Sequence, residues 1–215
     1  MIPFGVIWCG SKIYETKRRV LYMDRIQWKG GALLAPAPAA LVTCRSGGID
    51  NVLTVAWTGI LSTQPPTTYV SVRPQRHSYN IIKESGVFAI NITTRELLRA
   101  ADFCGVKSGR DMDKFEKAGL IKQEAFEIDC PVIAQSPITL ECRVNEIKQL
   151  GSHDMFIAQI ISVGVDPKLV DESGRLMLEK ADLIAFAHGA YFGLSKSLGG
   201  FGFSVMKKKT RRRKK

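Results

Sequence analysis

The sequence predicts a mainly β protein, an antiparallel barrel with short helical insertions. Three observations point there. About seven short apolar or β-branched runs are separated by turn residues. Only two or three short stretches carry helical spacing. No long-range strand–helix alternation recurs, and no GxGxxG follows a strand, which argues against a doubly wound parallel sheet. A fixed-period repeat is also missing.

The elements follow in order. Residues 1–31 lack clean periodicity and read as an N-terminal extension, within which Met23 offers an alternative start. Residues 39–44 (AALVTC) form a strand after the Pro36 and Pro38 breakers. Residues 45–51 (RSGGIDN) turn at Gly47-Gly48, and residues 52–58 (VLTVAWT) return as the second arm of a hairpin. Gln64-Pro65-Pro66 is a rigid break before the β-branched strand 67–72 (TTYVSV). Residues 78–85 (SYNIIKES) read as a helix capped by Ser78 and ended by Gly86, and residues 87–92 (VFAINI) as a strand.

Helical spacing returns at 94–103 (TRELLRAADF), with Thr94 as cap and Leu97, Leu98 and Ala101 on one face. Residues 107–110 (KSGR) are a loop. Residues 111–118 (DMDKFEKA) form a helix with an acidic start that suits its dipole, stopped at Gly119. Strands resume at 138–147, 154–165 and 182–187.

Charge narrows the function classes. The chain of 215 residues carries 31 Lys+Arg against 20 Asp+Glu, a formal +11. The segment 207–215 (KKKTRRRKK) holds +8 of this, and residues 1–31 hold +4, which leaves −1 for 32–206. A compact nucleic-acid binder should carry its cations on the folded body. Any attraction to RNA or a membrane surface is therefore assigned to the basic tail.

The apolar N-terminus lacks a basic stretch before its short apolar run and is a poor secretory signal. No run approaches the about 20 apolar residues of a membrane helix. Five scattered cysteines without a CxxC read as free thiols of a reducing, cytoplasmic setting. Cys130 and Cys142 read as packed strand residues. GxSxG, clustered zinc spacings and GxxxxGK[ST] are all missing, which points to chemistry carried by a bound cofactor. The positive signal is Arg76-His77-Ser78 opening a helix. A hydroxyl, a cation and free backbone N–H groups at a helix start make an anion site. In the competing reading, Ser78 only caps the helix and Arg76 sits in solvent.

The order of motifs resembles a known family. The run 51–82 (NVLTVAWTGILSTQPPTTYVSVRPQRHSYNII), then FAIN at 88–91 and DKFEKAGL at 113–120, is similar to the flavin reductase-like family of FMN-binding split barrels. CPVIAQSPITLECRV (130–144) and LGSHDMFIAQI (150–160) match its later strands, and YFGLSKSLGGFGFSV (191–205) its flavoredoxin-like branch. The resemblance covers 32–205, one domain, and leaves 1–31 and 206–215 outside.

It implies an FMN-binding split β-barrel, a homodimer, and NADH or NADPH as reductant. Onward partners would be a monooxygenase or an iron–sulfur protein. It places Asn51 and Trp57 on the first hairpin, with the backbone of Thr54, Val55 and Ala56 against the flavin ring. Ser78 and Arg76 would hold the phosphate, with Lys114 near the phosphate or ribityl chain. His153 and Phe186 complete the set, His153 also as the one weak catalytic candidate. The family's Gly-Asp-His stands here as Gly151-Ser152-His153, without the carboxylate. Each position has a competitor: Trp57 and Phe186 as core, Lys114 as a solvated helix residue, His153 as a hairpin end. Flavin reductase and flavoredoxin-like electron carrier without efficient NAD(P)H turnover both remain open.

Overall fold

A computed structural model describes residues 25–205. The basic tail, Cys9, Met23 and most of the N-terminal extension lie outside the described residues. Residues 25–33 belong to a separate unit and form no helix or strand. The second unit starts at Leu34.

Its strands are β1 (Ala37–Pro38), β2 (Ala40–Ser46), β3 (Ile49–Val55), β4 (Thr58–Thr63) and β5 (Pro66–Val72). Helix α1 (His77–Ser85) leads to β6 (Val87–Ile92), followed by α2 (Leu98–Val106) and α3 (Lys114–Ala118). The chain continues through β7 (Lys122–Glu124), β8 (Pro131–Ile133), β9 (Ile138–Gln149), β10 (Asp154–Val165), β11 (Ile184–Ala187) and β12 (Ala190–Gly193). Seven strands make one antiparallel sheet in the order β3-β2-β6-β9-β10-β5-β4.

Chain connectivity forces that sheet to roll up. β3 and β4 occupy opposite edges, yet only Ala56 and Trp57 separate them. Laid flat, six inter-strand spacings would span about 29 Å. The link from Val55 to Thr58 reaches about 10 Å. The two edges are therefore held together at Ala56–Trp57, and the Ser71 amide, donating to the Trp57 carbonyl at 2.9 Å, extends the β4–β5 ladder into that link. The seam is the split of the barrel.

The barrel core follows strand alternation. Val42 and Cys44 of β2 point inward with Leu53, Val70, Phe88 and Phe156, and α1 adds Tyr79, Ile81 and Ile82. Leu41 and Val52 point outward, where Leu97, Cys104, Phe115 and Ile133 cover them. β2 is thus buried on both faces, which is why AALVTC reads as a continuous apolar run. At the hairpin, Gly47 and Gly48 both have positive φ (58° and 77°), as a two-residue turn between right-twisted strands requires.

Several boundaries move. The second hairpin arm is Ile49–Val55 rather than 52–58, and β4 is a strand the sequence reading did not contain. The helix expected at 94–103 runs from Leu98 to Val106. Thr94 instead bridges Leu183, and its hydroxyl accepts the Leu97 amide. The helix expected at 111–118 starts at Lys114, because the Asp113 carboxylate caps it by accepting the Phe115 and Glu116 amides. The strand expected at 182–187 is β11 (Ile184–Ala187), and it sits with β1 and β12 in a separate three-stranded sheet. No described helix is long and apolar enough to cross a membrane.

Candidate functional site

The start of α1, the loop after α2 and the start of α3 converge on one face of β3. They enclose a cleft of about 190 Å³ lined by Asn51, Leu53, Gln75, Arg76, His77, Ser78, Lys107, Ser108, Gly109, Arg110 and Lys114. Four lysine or arginine side chains line it and no carboxylate does.

Ser78 is not the helix cap that sequence reasoning expected. Arg76 occupies the cap position and makes no side-chain capping bond. Ser78 lies in the first turn, buried, and its hydroxyl accepts from Asn51 Nδ2 at 2.6 Å. Its own O–H is left to donate. α1 therefore presents its N-terminus to the cleft without a side-chain cap, where backbone amides and the helix dipole favour an anion. Arg76 is exposed, yet it lines the same cleft.

Lys114 is not a solvated helix residue. It is 4% exposed, and its ammonium donates to the carbonyls of Cys104 (3.0 Å) and Lys107 (3.3 Å). These are carbonyls of the last turn of α2 and its cap, the negative end of that helix. Burial, and then the charge of Arg76, lower the Lys114 pKa, offset in part by the neighbouring cysteines. His77 is also held below its ordinary value, by burial first and then by Arg110 and Lys114. Burial is the first cause of both shifts, the neighbouring cations add to it, and the lining holds no carboxylate to offset them.

Gly109 closes the cleft. A Cβ there would lie 2.1 Å from Asn51 Oδ1 and 3.1 Å from the His77 ring. Only a residue without a side chain lets the loop approach this closely. Sequence reasoning read 107–110 as a plain loop and missed His77, Lys107, Gly109 and Arg110. The available signal was two cations flanking Ser-Gly between two helices.

The remaining expected residues lie outside the cleft. Thr54 is on β3, with its hydroxyl donating to the Ala101 carbonyl of α2 at 2.5 Å. Val55 points into the barrel core. Among the described residues β3 has a single strand neighbour, so the other edge of Thr54, Val55 and Ala56 is unpaired in the sheet. Trp57 is 45% exposed and is not core. Its ring lies 4.4 Å from that of His153, which sits in the turn between β9 and β10. Asn51, Arg76, Ser78 and Lys114 thus share one cleft, and Trp57 pairs with His153 at the seam. Phe186 is not among the cleft residues. It packs on Tyr191 across the small sheet, 5.2 Å between ring centres.

The cysteines among the described residues are unsuited to thiolate chemistry at neutral pH. Cys44, Cys104, Cys130 and Cys142 are buried and free. Burial pushes Cys44 and Cys142 up to about 12 and Cys104 to about 11. Tyr79 donates to the buried Asp154 at 2.6 Å, and Asn91 ties Leu41, Thr43 and Ile133 together. These groups hold the fold and are not among the cleft-lining residues.

Comparison with known proteins adds three kinds of finding. Residues 33–195 match the family model described as a flavin reductase like domain. The flavoredoxin of Desulfovibrio vulgaris (Miyazaki F) superposes with a TM-score of 0.78 at 28% identity, covering 85% of this chain and 100% of that one. Among curated relatives, an uncharacterized Archaeoglobus fulgidus protein is 34% identical over 53% of this chain and 64% of its own length. An NADPH-flavin oxidoreductase of Streptomyces viridifaciens is 27% identical over 59% of this chain and 65% of its own length. The chain thus spans just under two thirds of each of these two curated relatives.

Proposed function

The chain belongs to the flavin reductase-like domain family, and from that premise we propose that it is an FMN-binding oxidoreductase working as an NAD(P)H-dependent flavin reductase. The observation that carries this reading is the cationic cleft at the start of α1. Its donors suit a phosphate monoester: the Ser78 hydroxyl, first-turn amides and the cations Arg76, Lys107, Arg110 and Lys114, with no carboxylate in the lining. Its volume decides how much of the ligand it takes. Whole-ligand pockets run to roughly 300–1,000 Å³, and about 190 Å³ holds only the phosphate end. The ring is then assigned to the unpaired edge of β3 at Thr54–Ala56, beside Trp57.

FMN bound here would supply the redox chemistry, hydride and electron transfer between a nicotinamide and an onward acceptor. The chain's own groups bind and orient. Asn51 holds Ser78 in place, and Ser78 donates to a phosphate oxygen. Lys114, anchored by two carbonyls, keeps its charge at a fixed point. Backbone groups of β3 hydrogen-bond the ring and tune its potential. His153, in ring contact with Trp57, is assigned to the flavin ring's surroundings. The reading includes a homodimer built on the domain 32–205, cytoplasmic placement, and a monooxygenase or iron–sulfur protein as electron acceptor.

The first test is the absorption spectrum of the purified protein, which should show flavin or acquire it on adding FMN. A colourless protein that binds no added FMN overturns the proposal. Ser78→Ala and Lys114→Met should each weaken FMN by about 10–100-fold, the value of a charge-assisted hydrogen bond. Riboflavin, which has no phosphate, should bind both variants as it binds the parent. Unchanged FMN affinity in both variants removes the phosphate assignment.

The similarity to a flavoredoxin supports a second reading, an electron-transfer flavoprotein without efficient NAD(P)H turnover. Stopped-flow mixing with NADH and NADPH separates the two. Rapid bleaching of the flavin band supports the reductase, and its absence the carrier.

A further inference from the structure

A second cavity lies across α2 from β3, and the flavin reading leaves it unused. Its volume is about 670 Å³, more than three times that of the phosphate cleft. That falls within the roughly 300–1,000 Å³ that holds a whole small ligand. One face of α2 forms its floor through Leu98, Arg99, Asp102, Phe103 and Val106, and Lys117 of α3 and Tyr191 of β12 line its sides. The floor positions recur at helical spacing, whereas Leu97 and Cys104 turn into the outer core cluster. Thr54 of β3 meets the other side of the helix. Its hydroxyl donates to the Ala101 carbonyl, and a Cβ on Gly105 would lie 3.4 Å from the Thr54 Cβ. The thickness of α2, about 10 Å, therefore separates a molecule in this groove from the β3 edge, too far for hydride transfer with a ring bound there.

The lining has charge of both signs and aromatic rings. Arg99, Lys107 and Lys117 bring three cations, and Asp102 brings one carboxylate. Among the described residues Arg99 and Lys107 have no carboxylate within ion-pair distance, and Lys117 reaches only the exposed Glu116, at 3.6 Å. Asp102 stands beside the Tyr191 hydroxyl. Burial first, and then that carboxylate, raise the Tyr191 pKa, so the phenol stays protonated. Phe103 and Tyr191 are half-buried and offer ring faces, while Leu98 and Val106 offer apolar contact. The long stems of the arginine and lysines lie along apolar surface and let their charges converge on one anion.

We propose that this groove is a second ligand site, distinct from the flavin site, that takes a small aromatic anion bearing a hydroxyl or amino donor. The ring packs against Phe103 and Tyr191, the anion meets the three cations, and the donor meets Asp102. An aromatic carboxylate and a purine nucleotide share this chemistry. Lys107 gives the site a consequence, because its side chain lines both the groove and the phosphate cleft. An anion that draws Lys107 into the groove removes one of the four cations around the FMN phosphate. Occupancy then weakens FMN, and FMN weakens the occupant by the same factor. This coupling rests on the flavin reading above, whereas the groove itself stands apart from it.

Calorimetric titration of FMN-loaded protein with 4-aminobenzoate and, separately, with AMP tests the site while the phosphate cleft is filled. Binding of the first alone assigns a carboxylate ligand, of the second alone a nucleotide, and of both the shared class. Arg99→Glu combined with Lys117→Glu should weaken the bound probe about 10–100-fold. Both side chains are exposed and outside the phosphate cleft, so FMN affinity without probe should match the parent. The uncharged counterparts, 4-aminobenzamide and adenosine, should bind at least about tenfold more weakly. Binding of neither probe, equal affinity in the double variant, or equal affinity of the uncharged counterpart overturns the proposal. The coupling is read as FMN affinity, which should fall about fivefold and level off as the probe saturates, with riboflavin unaffected. A fall without a plateau places the probe in the phosphate cleft and overturns the second site. An FMN affinity that does not move overturns the role of Lys107. A protein that takes up no flavin removes the flavin reading, and the same titration of the flavin-free chain still decides the groove.

Discussion

At the residue scale, Gly109 and His77 make the cleft testable apart from the cations. The φ of Gly109 is ordinary, so space and not backbone freedom requires glycine there. Gly109→Ala must push the Asn51 amide aside and break its bond to Ser78. FMN affinity should fall about tenfold, the worth of one hydrogen bond to a charged group. An alanine variant that binds FMN like the parent would show that Asn51 does not hold Ser78 for the ligand. His77 faces Arg110 and Lys114, with Arg76 and Lys107 in the same lining, and is held below its ordinary pKa. A bound dianion cancels that repulsion and raises the His77 pKa. Binding therefore takes up a proton, and affinity should strengthen as pH falls from 8 to 7, above the phosphate's own pKa of about 6. Calorimetry in buffers of different ionisation heat reads that uptake, and His77→Gln should remove it. None of this was legible in the sequence, because KSGR and a lone histidine acquire meaning only when two loops meet.

At the element scale, α3 is too short to persist alone and depends on its cap and on Phe115 in the outer cluster. Asp113→Ala removes the acceptor of two amides and should cost about 1 kcal/mol of stability. It should also weaken FMN, because the first residue of α3 is Lys114. A denaturation midpoint that stays put would mean the packing of Phe115 suffices. The sequence showed this helix through its acidic start and Gly119, and misplaced its first turn because Asp113 caps it from outside. β4 was invisible for another reason. A register shift between Ile60 and Ser62 breaks the alternation that marks a strand, and its apolar residues Ile60 and Leu61 are exposed at an edge.

At the scale of the whole molecule, the core inside the rolled sheet supports the site. Phe88 and Phe156 are fully buried in it, and truncating either to alanine should cost about 3–5 kcal/mol. Thermal or denaturant midpoints measure this, and a loss below about 1 kcal/mol would contradict a close-packed barrel. Net charge belongs to a different part of the chain. Any binding to RNA or anionic vesicles at moderate salt should weaken sharply when 207–215 is deleted, since that segment holds +8 of the +11. Alternating and continuous apolar runs, the Gly-Gly turn and the missing βαβ pattern determined by themselves an antiparallel β fold and most of its strand order along the chain. They did so because strand patterning and turn chemistry are local. The motif order added the family resemblance. Tertiary structure alone decided that β3 and β4 meet as the two edges of a rolled sheet. It alone gathered α1, the KSGR loop and Lys114 around one cleft, and sent Phe186 to a separate sheet. Those outcomes depend on contacts between residues tens of positions apart, and no local pattern encodes where such residues end up in space.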